Sequence, residues 1–513
     1  MRRSLCALLT VVGMLCVAAP ASAAGKDAFN SNGLRKAVTL EGVREHQAAL
    51  QTIADLNGGR RVSGTAGFDA SADYVAGRLE AAGYEVTRQE FTFDYFEELT
   101  TPTFQQISPT PTTYENPEQF ATMTYSGSGD VTAAAEHITQ TGELGPGCTA
   151  GDFAGFAAGN IALIQRGGCP FKDKAINAQA AGASAVVIYN NTDGPLNGTL
   201  GSIGQSIPVI GTLQSIGQAL AAGGPATLRV ATSTMSEPRQ TENVLADTAG
   251  GDPERKVVVG AHLDSVVQGP GINDNGSGTA GILEIAEQFA ARDIEPRNQV
   301  RFAWWGAEEF NLVGSTYYVS QLSDEELGDH LLNLNFDMIG SPNYVRFVYD
   351  GDNSAFPAGP TAAEGPDGSG LIEDVFVSYF ANQGLASEPT PFSGRSDYGP
   401  FIAAGLPAGG LFTGAEGIKT AAQAAEYGGT AGQAYDPCYH QACDTFANNS
   451  DAGLSEMSDA AAHAVYTFAK TKADITNDAA LKPGRNGKPS GSNGGTGTTS
   501  GGGLHDHEEA IAE

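Results

Sequence analysis

A chain of 513 residues, 41% of them hydrophobic, is long enough for two or three packed domains, which excludes disorder throughout. Its 59 acidic against 28 basic residues leave a formal charge of -31, which repels phosphates and argues against nucleic-acid or anionic-membrane binding. A cationic group on a substrate would be welcome on such a surface.

In chain order, Met1-Arg2-Arg3, an apolar run from Leu5 to Ala19 and Ala21-Ser22-Ala23 read as a secretory signal over residues 1–23. The run is short for a membrane span and is broken by Pro20, so export without a stable anchor is expected. Residues 24–36 are a candidate pro-segment. Residues 40–56 and 70–82 carry helical periodicity, and residues 85–93 alternate like a strand, opening a first α/β segment over 37–110. Residues 101–129 are rich in Thr, Pro and Ser, which marks a boundary rather than a packed element.

Cys6 and Cys16 leave with the signal, so the mature chain keeps Cys148, Cys169, Cys438 and Cys443. In an exported chain the economical pairing is Cys148 with Cys169 and Cys438 with Cys443, each closing a short loop, although two other pairings are open. A zinc-thiolate site is the competing reading, but no Cys-x-x-Cys spacing supports it.

Residues 131–228 form a self-contained pattern with strands at 161–164, 185–189 and 207–210 and a helix at 172–181. The run from Gly159 to Phe171, with its Arg-Gly-x-Cys-x-Phe core and the following Lys174, Ala178 and Ala181-Gly-Ala183, resembles the protease-associated domain. That resemblance implies a β-rich insert, placed at 111–234, of a kind found in several secreted peptidases. Apolar strands at 256–263, 300–305 and 331–336, separated by helices such as 279–291, then return the chain to an α/β pattern over 235–476. Near-continuous apolar strands imply a mostly parallel sheet covered on both faces. Residues 477–513 are Gly/Ser-rich and end acidic, a flexible tail that contains His505 and His507.

Polar residues gather where these strands end. The first strand delivers His262 and Asp264, a pattern suited to a metal ligand and a carboxylate that orients its imidazole. Asp274 follows in Gly271-Ile-Asn-Asp-Asn-Gly-Ser-Gly278, placed to bridge two cations or, more commonly for such a residue, to cap the next helix. Gly306-Ala-Glu-Glu309 sets two carboxylates side by side, Glu309 suited to a metal and Glu308 to taking a proton from the attacking water. Asp337 directly follows the third strand, and Asp436-Pro-Cys-Tyr-His-Gln-Ala-Cys-Asp444 would pin Tyr439 and His440 on a short disulfide loop. Each has a bland structural explanation, but independent bland explanations for all of them are improbable.

His-x-Asp, Asp-Asn-Gly-Ser-Gly, Gly-x-Glu-Glu, Asp-Met and Cys-Tyr-His together resemble the co-catalytic dizinc aminopeptidases, in order, spacing and local context. The resemblance implies a secreted, monomeric zinc peptidase with two zinc ions, acting on the free N-terminus of peptides and proteins with hydrophobic, leucine-like first residues. It implies that Asp274 bridges the ions, that His262 and Asp337 complete one site, and that Glu309 and His440 complete the other. It further implies Glu308 as general base, Tyr439 as a donor to the tetrahedral oxyanion, Asp264 behind His262, and Arg395 near the substrate amine, with a surface salt bridge as its alternative. Three rivals share the superfamily. A carboxypeptidase would want basic residues near these motifs, a glutaminyl cyclase works with one zinc, and a transferrin-receptor-like binding protein would have shed its ligands. Calcium suits an exported acidic protein, but no EF-hand pattern is present and no residues are assigned.

Overall fold

The computed structural model describes residues 30–473 and residue 475, so the signal segment, the start of the candidate pro-segment and the tail with His505 and His507 lie outside the described residues. The strands Asp252–His262, Asn298–Trp305, His330–Phe336 and Ala408–Phe412 are parallel neighbours. Their side chains alternate between two cores: Val257, Val259 and Ala261 enter one, Val258 the other. Burial on both faces explains why these segments read as unbroken apolar runs. The helices Leu40–Leu56, Ala66–Ala81, Gly276–Ala291, Ser369–Gln383 and Asp451–Lys470 contribute to the first core. On the opposite face Tyr318 and Phe401, from Val313–Ser320 and Tyr398–Ala403, pack on Trp305 at 5.2 and 5.9 Å between ring centroids. The short strands Phe347–Tyr349 and Glu388–Thr390 extend the far edge, the former antiparallel to Ala408–Phe412, so the sheet is mixed but mostly parallel.

The candidate pro-segment overlaps this fold. The helix Asn32–Ala37 buries Leu34 in the first core, and Arg35 pairs with Asp459 at 2.7 Å, so the chain is built into the molecule from that helix onward.

A long antiparallel ribbon joins the two parts of the molecule. Glu85–Ser108 pairs along its length with Thr227–Asp247, whose end at Asp247 joins Arg301 of the main sheet while its other end joins Gly129–His137 of the insert. The Thr/Pro-rich stretch expected to be a boundary is therefore partly strand. Phe104 and Phe120 are buried, and Pro102 falls where the register shifts between Thr100 and Thr103, the place in a ladder where a residue without an N–H is tolerated. The expected limit at 111 falls between Glu85–Ser108 and Thr112–Thr113, whereas that at 234 lies inside Thr227–Asp247.

The insert has its own sheet, with Gly129–His137, Ile161–Gln165, Ala185–Tyr189 and Val209–Thr212 parallel in that order and Phe120–Thr122 antiparallel at the edge. The helices Phe171–Ala180 and Gln214–Ala222 contribute Ala175 and Leu220 to the two cores on its faces. Cys148 is bonded to Cys169 within the insert, and Cys438 to Cys443 in the main domain. No described helix is long and apolar enough to cross a membrane.

Candidate active site

Three parallel strands ending side by side bring His262, the Glu308-Glu309 pair and Asp337 to one edge of the sheet, with Trp305 in register with His262. The loop before Gly276–Ala291 drops Asp274 among them. Its helix starts with the Asn275 side chain accepting from Gly278 N–H at 2.9 Å. Gly278 must be bare, because a Cβ there would lie 2.0 Å from the Phe336 carbonyl.

The two oxygens of Asp274 face different partners. Oδ1 is 3.3 Å from His262 Nε2, which is 3.4 Å from Asp337 Oδ1, whereas Oδ2 is 3.2 Å from His440 Nε2, itself 3.2 Å from Glu309 Oε2. Four side chains thus form two pairs around the shared carboxylate of Asp274, and Glu308, with Oε2 3.8 Å from His262, brings the cluster to six. Four of the six are carboxylates in a largely buried space, an arrangement that costs heavily without cations. Asp337 Oδ1 and Glu309 Oε1 are buried with no hydrogen-bond partner, so oxygens are available to an ion at both positions. Imidazole and carboxylate donors in this number fit zinc.

The electrostatics agree. Burial, and then Glu309, Asp397 and Asp337 against the opposing pull of His262, holds Glu308 well above the usual carboxylate range. Burial likewise raises Glu309, with His440 opposing it. Burial disfavours the charged form of His262, but Glu308 and Asp337 outweigh it and raise its pKa well above the ordinary value. Burial also disfavours charge on Asp274, which the two histidines nevertheless hold below its usual range.

Asp264 is fully buried behind His262. Its Oδ1 lies 3.6 Å from His262 Nδ1 and accepts from Glu308 N–H at 3.2 Å, so it ties two strand ends together. Ala307, Met338 and His440, each beside or within the cluster, take left-handed backbone with φ of 53°, 50° and 55°, a strain that clusters at functional sites. Tyr439 stacks on His440 with centroids 3.8 Å apart, and its hydroxyl accepts from Arg395 Nη2 at 3.0 Å. Arg395 also binds Glu416 at 2.6 Å, so the salt bridge is present and Arg395 lines the cleft as well.

Several supports escaped the sequence reading. Arg61 is completely buried and donates to the carbonyls of Leu263, Pro270 and Gly271, holding both loops that carry His262 and Asp274. Asp444 accepts from the N–H groups of Asn273 and Asp274, both at 2.9 Å, and so clamps the disulfide loop to the Asp274 loop. Ser396 donates to Asp337 Oδ2 at 2.5 Å while accepting from Asn335 at 2.8 Å. The only local signal was position, since Ser396 follows Arg395 and Asp444 follows Cys443.

The cluster opens into a cleft of about 930 Å³. Separate aromatic clusters line it, Tyr349 and Tyr398 with Phe412 in one and Phe93 with Phe310 in another, and Met338, Phe96 and Tyr125 line it as well. Two further acidic groupings, His46-Glu284-Glu287 and Asp350-Asp352-Glu373, lie away from it, and neither is assigned to calcium.

Residues 243–465 match the model of peptidase family M28, and residues 138–220 match the PA domain. An aminopeptidase of Pseudomonas aeruginosa is 46% identical over 440 residues, covering 84% of this chain and 81% of that protein. The chain belongs to peptidase family M28. Leucine aminopeptidase 2 of Arthroderma otae is 39% identical over 431 residues, covering 82% of this chain and 83% of that protein. Among solved structures, the aminopeptidase from Aneurinibacillus sp. strain AM-1 superposes with a TM-score of 0.66 at 28% identity, covering 86% of this chain and 96% of that one. BSAP, a zinc aminopeptidase from Bacillus subtilis, superposes with a TM-score of 0.57 at 26% identity, covering 86% and 97%. The stretch matched by the M28 model contains every member of the carboxylate and imidazole cluster, and the PA stretch contains Cys148 and Cys169.

Proposed function

We propose that this M28 peptidase is a secreted aminopeptidase dependent on two zinc ions, removing apolar first residues from peptides and proteins with a free N-terminus. The observation that carries it is Asp274, whose two oxygens face two separate imidazole-carboxylate pairs. His262 and Asp337 would hold one ion, Glu309 and His440 the other, and Asp274 both. Zinc so held supplies Lewis acidity to the scissile carbonyl and acidifies the attacking water.

The chain's own residues do the rest. Glu308 lines the cleft beside the cluster, with its backbone anchored on Asp264, in position to take the proton of the attacking water and return it to the leaving amine. Tyr439 accepts from Arg395, which leaves its own O–H free to donate toward the oxygen that becomes negative in the transition state. Glu416 fixes the Arg395 guanidinium, and the disulfide loop fixes the ring. The substrate's ammonium group enters a cleft rich in carboxylates. Its first side chain meets Met338, Tyr349, Tyr398 and Phe412, which supports a leucine-like preference. Arg395 is the sole Arg or Lys among the described residues lining the cleft, and it is already paired, which disfavours a carboxypeptidase that must hold a terminal carboxylate. The leader sequence and the two disulfides support secretion.

Mass spectrometry of products from a free peptide and its N-acetylated twin, with zinc-loaded protein, tests the reading. Release of the first residue from the free peptide alone, abolished by a chelator, is expected. Loss of the last residue from both peptides would overturn it.

A further inference from the structure

Two separate aromatic clusters line the cleft, and the proposed aminopeptidase reading uses only one of them. Its volume of about 930 Å³ is near the top of the roughly 300–1,000 Å³ that encloses a whole drug-sized ligand, more than one side chain needs. Tyr349, Tyr398 and Phe412 form one of these clusters, and Phe93 and Phe310 belong to the other. Two tyrosine rings stand within reach of the Asp337 charge. Tyr349 and Tyr398 are buried there, each packed against Phe392 at 5.2 and 4.9 Å. Toward Phe310 the cleft opens past Thr92, Gly201, Gln268 and Asn311, all exposed.

An enzyme that removes a first residue holds its side chain among buried walls, here those of Tyr349 and Tyr398, and the remaining chain has to pass on toward the exposed end. The second residue of the substrate therefore passes the wall made by Phe310, Phe93, Phe96 and Tyr125. That wall is pre-formed. Phe310 packs edge-on to Phe93 at 4.9 Å, Phe96 edge-on to Tyr125 at 5.8 Å, and the Tyr125 hydroxyl donates to the Asp94 carbonyl at 3.0 Å. The Asp94 carboxylate accepts from Ile203 N–H at 3.1 Å, which ties the ribbon to the insert. Phe96 also packs against the core of the insert, which makes the insert part of the wall.

We infer that this wall is a second apolar subsite, contributed by the ribbon, the insert and the Phe310 loop, that selects a bulky apolar or aromatic second residue. An aromatic or aliphatic side chain there gains contact with ring faces and edges, whereas an acidic one is desolvated without a partner. The inference rests on the aminopeptidase reading, because it takes the end lined by Tyr349 and Tyr398 as the place of the first residue.

The test compares kcat/KM of the zinc-loaded, full-length protein on leucinamide, Leu-Phe, Leu-Ser and Leu-Glu, for the wild type and for Phe96→Ala and Phe96→Leu. Leu-Phe should exceed Leu-Ser and Leu-Glu by about tenfold or more in the wild type, the scale on which apolar pockets discriminate. Phe96→Ala should lower the ratio of Leu-Phe to leucinamide by about tenfold, chiefly through KM, and Phe96→Leu should restore most of it. Equal wild-type values across the three dipeptides overturn the subsite, as does an unchanged ratio in Phe96→Ala. Should Phe96→Ala unfold, the wild-type series decides alone. Failure of the aminopeptidase reading looks different: the wild type would then leave leucinamide intact.

Discussion

Replacing Glu308 by glutamine keeps the size of the side chain and removes its capacity to accept a proton. The expected result is a fall in kcat of about 10³-fold with bound zinc unchanged, because the proposed ligands are His262, Asp274, Glu309, Asp337 and His440, and Glu308 is proposed as the base. Measuring metal content alongside the rate separates this from loss of a ligand. Arg61 makes a different demand. It is buried with three backbone carbonyls on its guanidinium. Arg61→Met strands those acceptors and should cost about 3 kcal/mol or more, read as a lowered denaturation midpoint with an unchanged slope. Glu373 gives a pH signature. Burial first, then Asp350 and Asp352, raises its carboxyl to about 7. The folded state therefore keeps a proton that the unfolded chain has released above its ordinary pKa of about 4.3, so stability falls as pH rises from there through 7. Glu373→Gln, neutral at every pH, should flatten that part of the Tm-against-pH curve.

At the level of elements, the loop closed by Cys438 and Cys443 holds Tyr439 and His440, while Asp444 clamps it to the Asp274 loop. Such a small loop contributes only roughly 2 kcal/mol to stability by chain-entropy reasoning. Its larger effect is on placement. The double replacement of Cys438 and Cys443 by serine should lower kcat/KM by about 10²-fold for a modest change in Tm. A loss of stability without that loss of activity would assign the disulfide to folding alone. The strand ends of this site were legible, because an apolar run followed by a polar residue is a local pattern: His262, Glu308, Glu309 and Asp337 all stand so. Arg61, Asn273, Ser396 and Asp444 were not, because each acts on a segment far away in the chain and carries no periodicity of its own.

For the whole molecule, removal of metal leaves a set of buried carboxylates to repel one another. Dialysis against a zinc chelator should therefore lower Tm as well as abolish activity, and both should return on adding zinc. Loss of activity with no change in Tm would mean that the cluster is stable without cations. At this scale sequence and structure divide cleanly. Composition, strand periodicity and the order of the five motifs by themselves determined an α/β sheet buried on both faces, an insert with its own core and a row of polar residues at the strand ends, because each of these is written in neighbouring residues. Only the tertiary structure decided that the Thr/Pro-rich stretch continues into a ribbon, that the helix Asn32–Ala37 belongs to the core, and that the insert stands over the cleft with Phe96 and Tyr125. Those outcomes depend on pairing between Glu85–Ser108 and Thr227–Asp247 and on packing across the whole chain, where the free energy lies in contacts between segments that no local window contains.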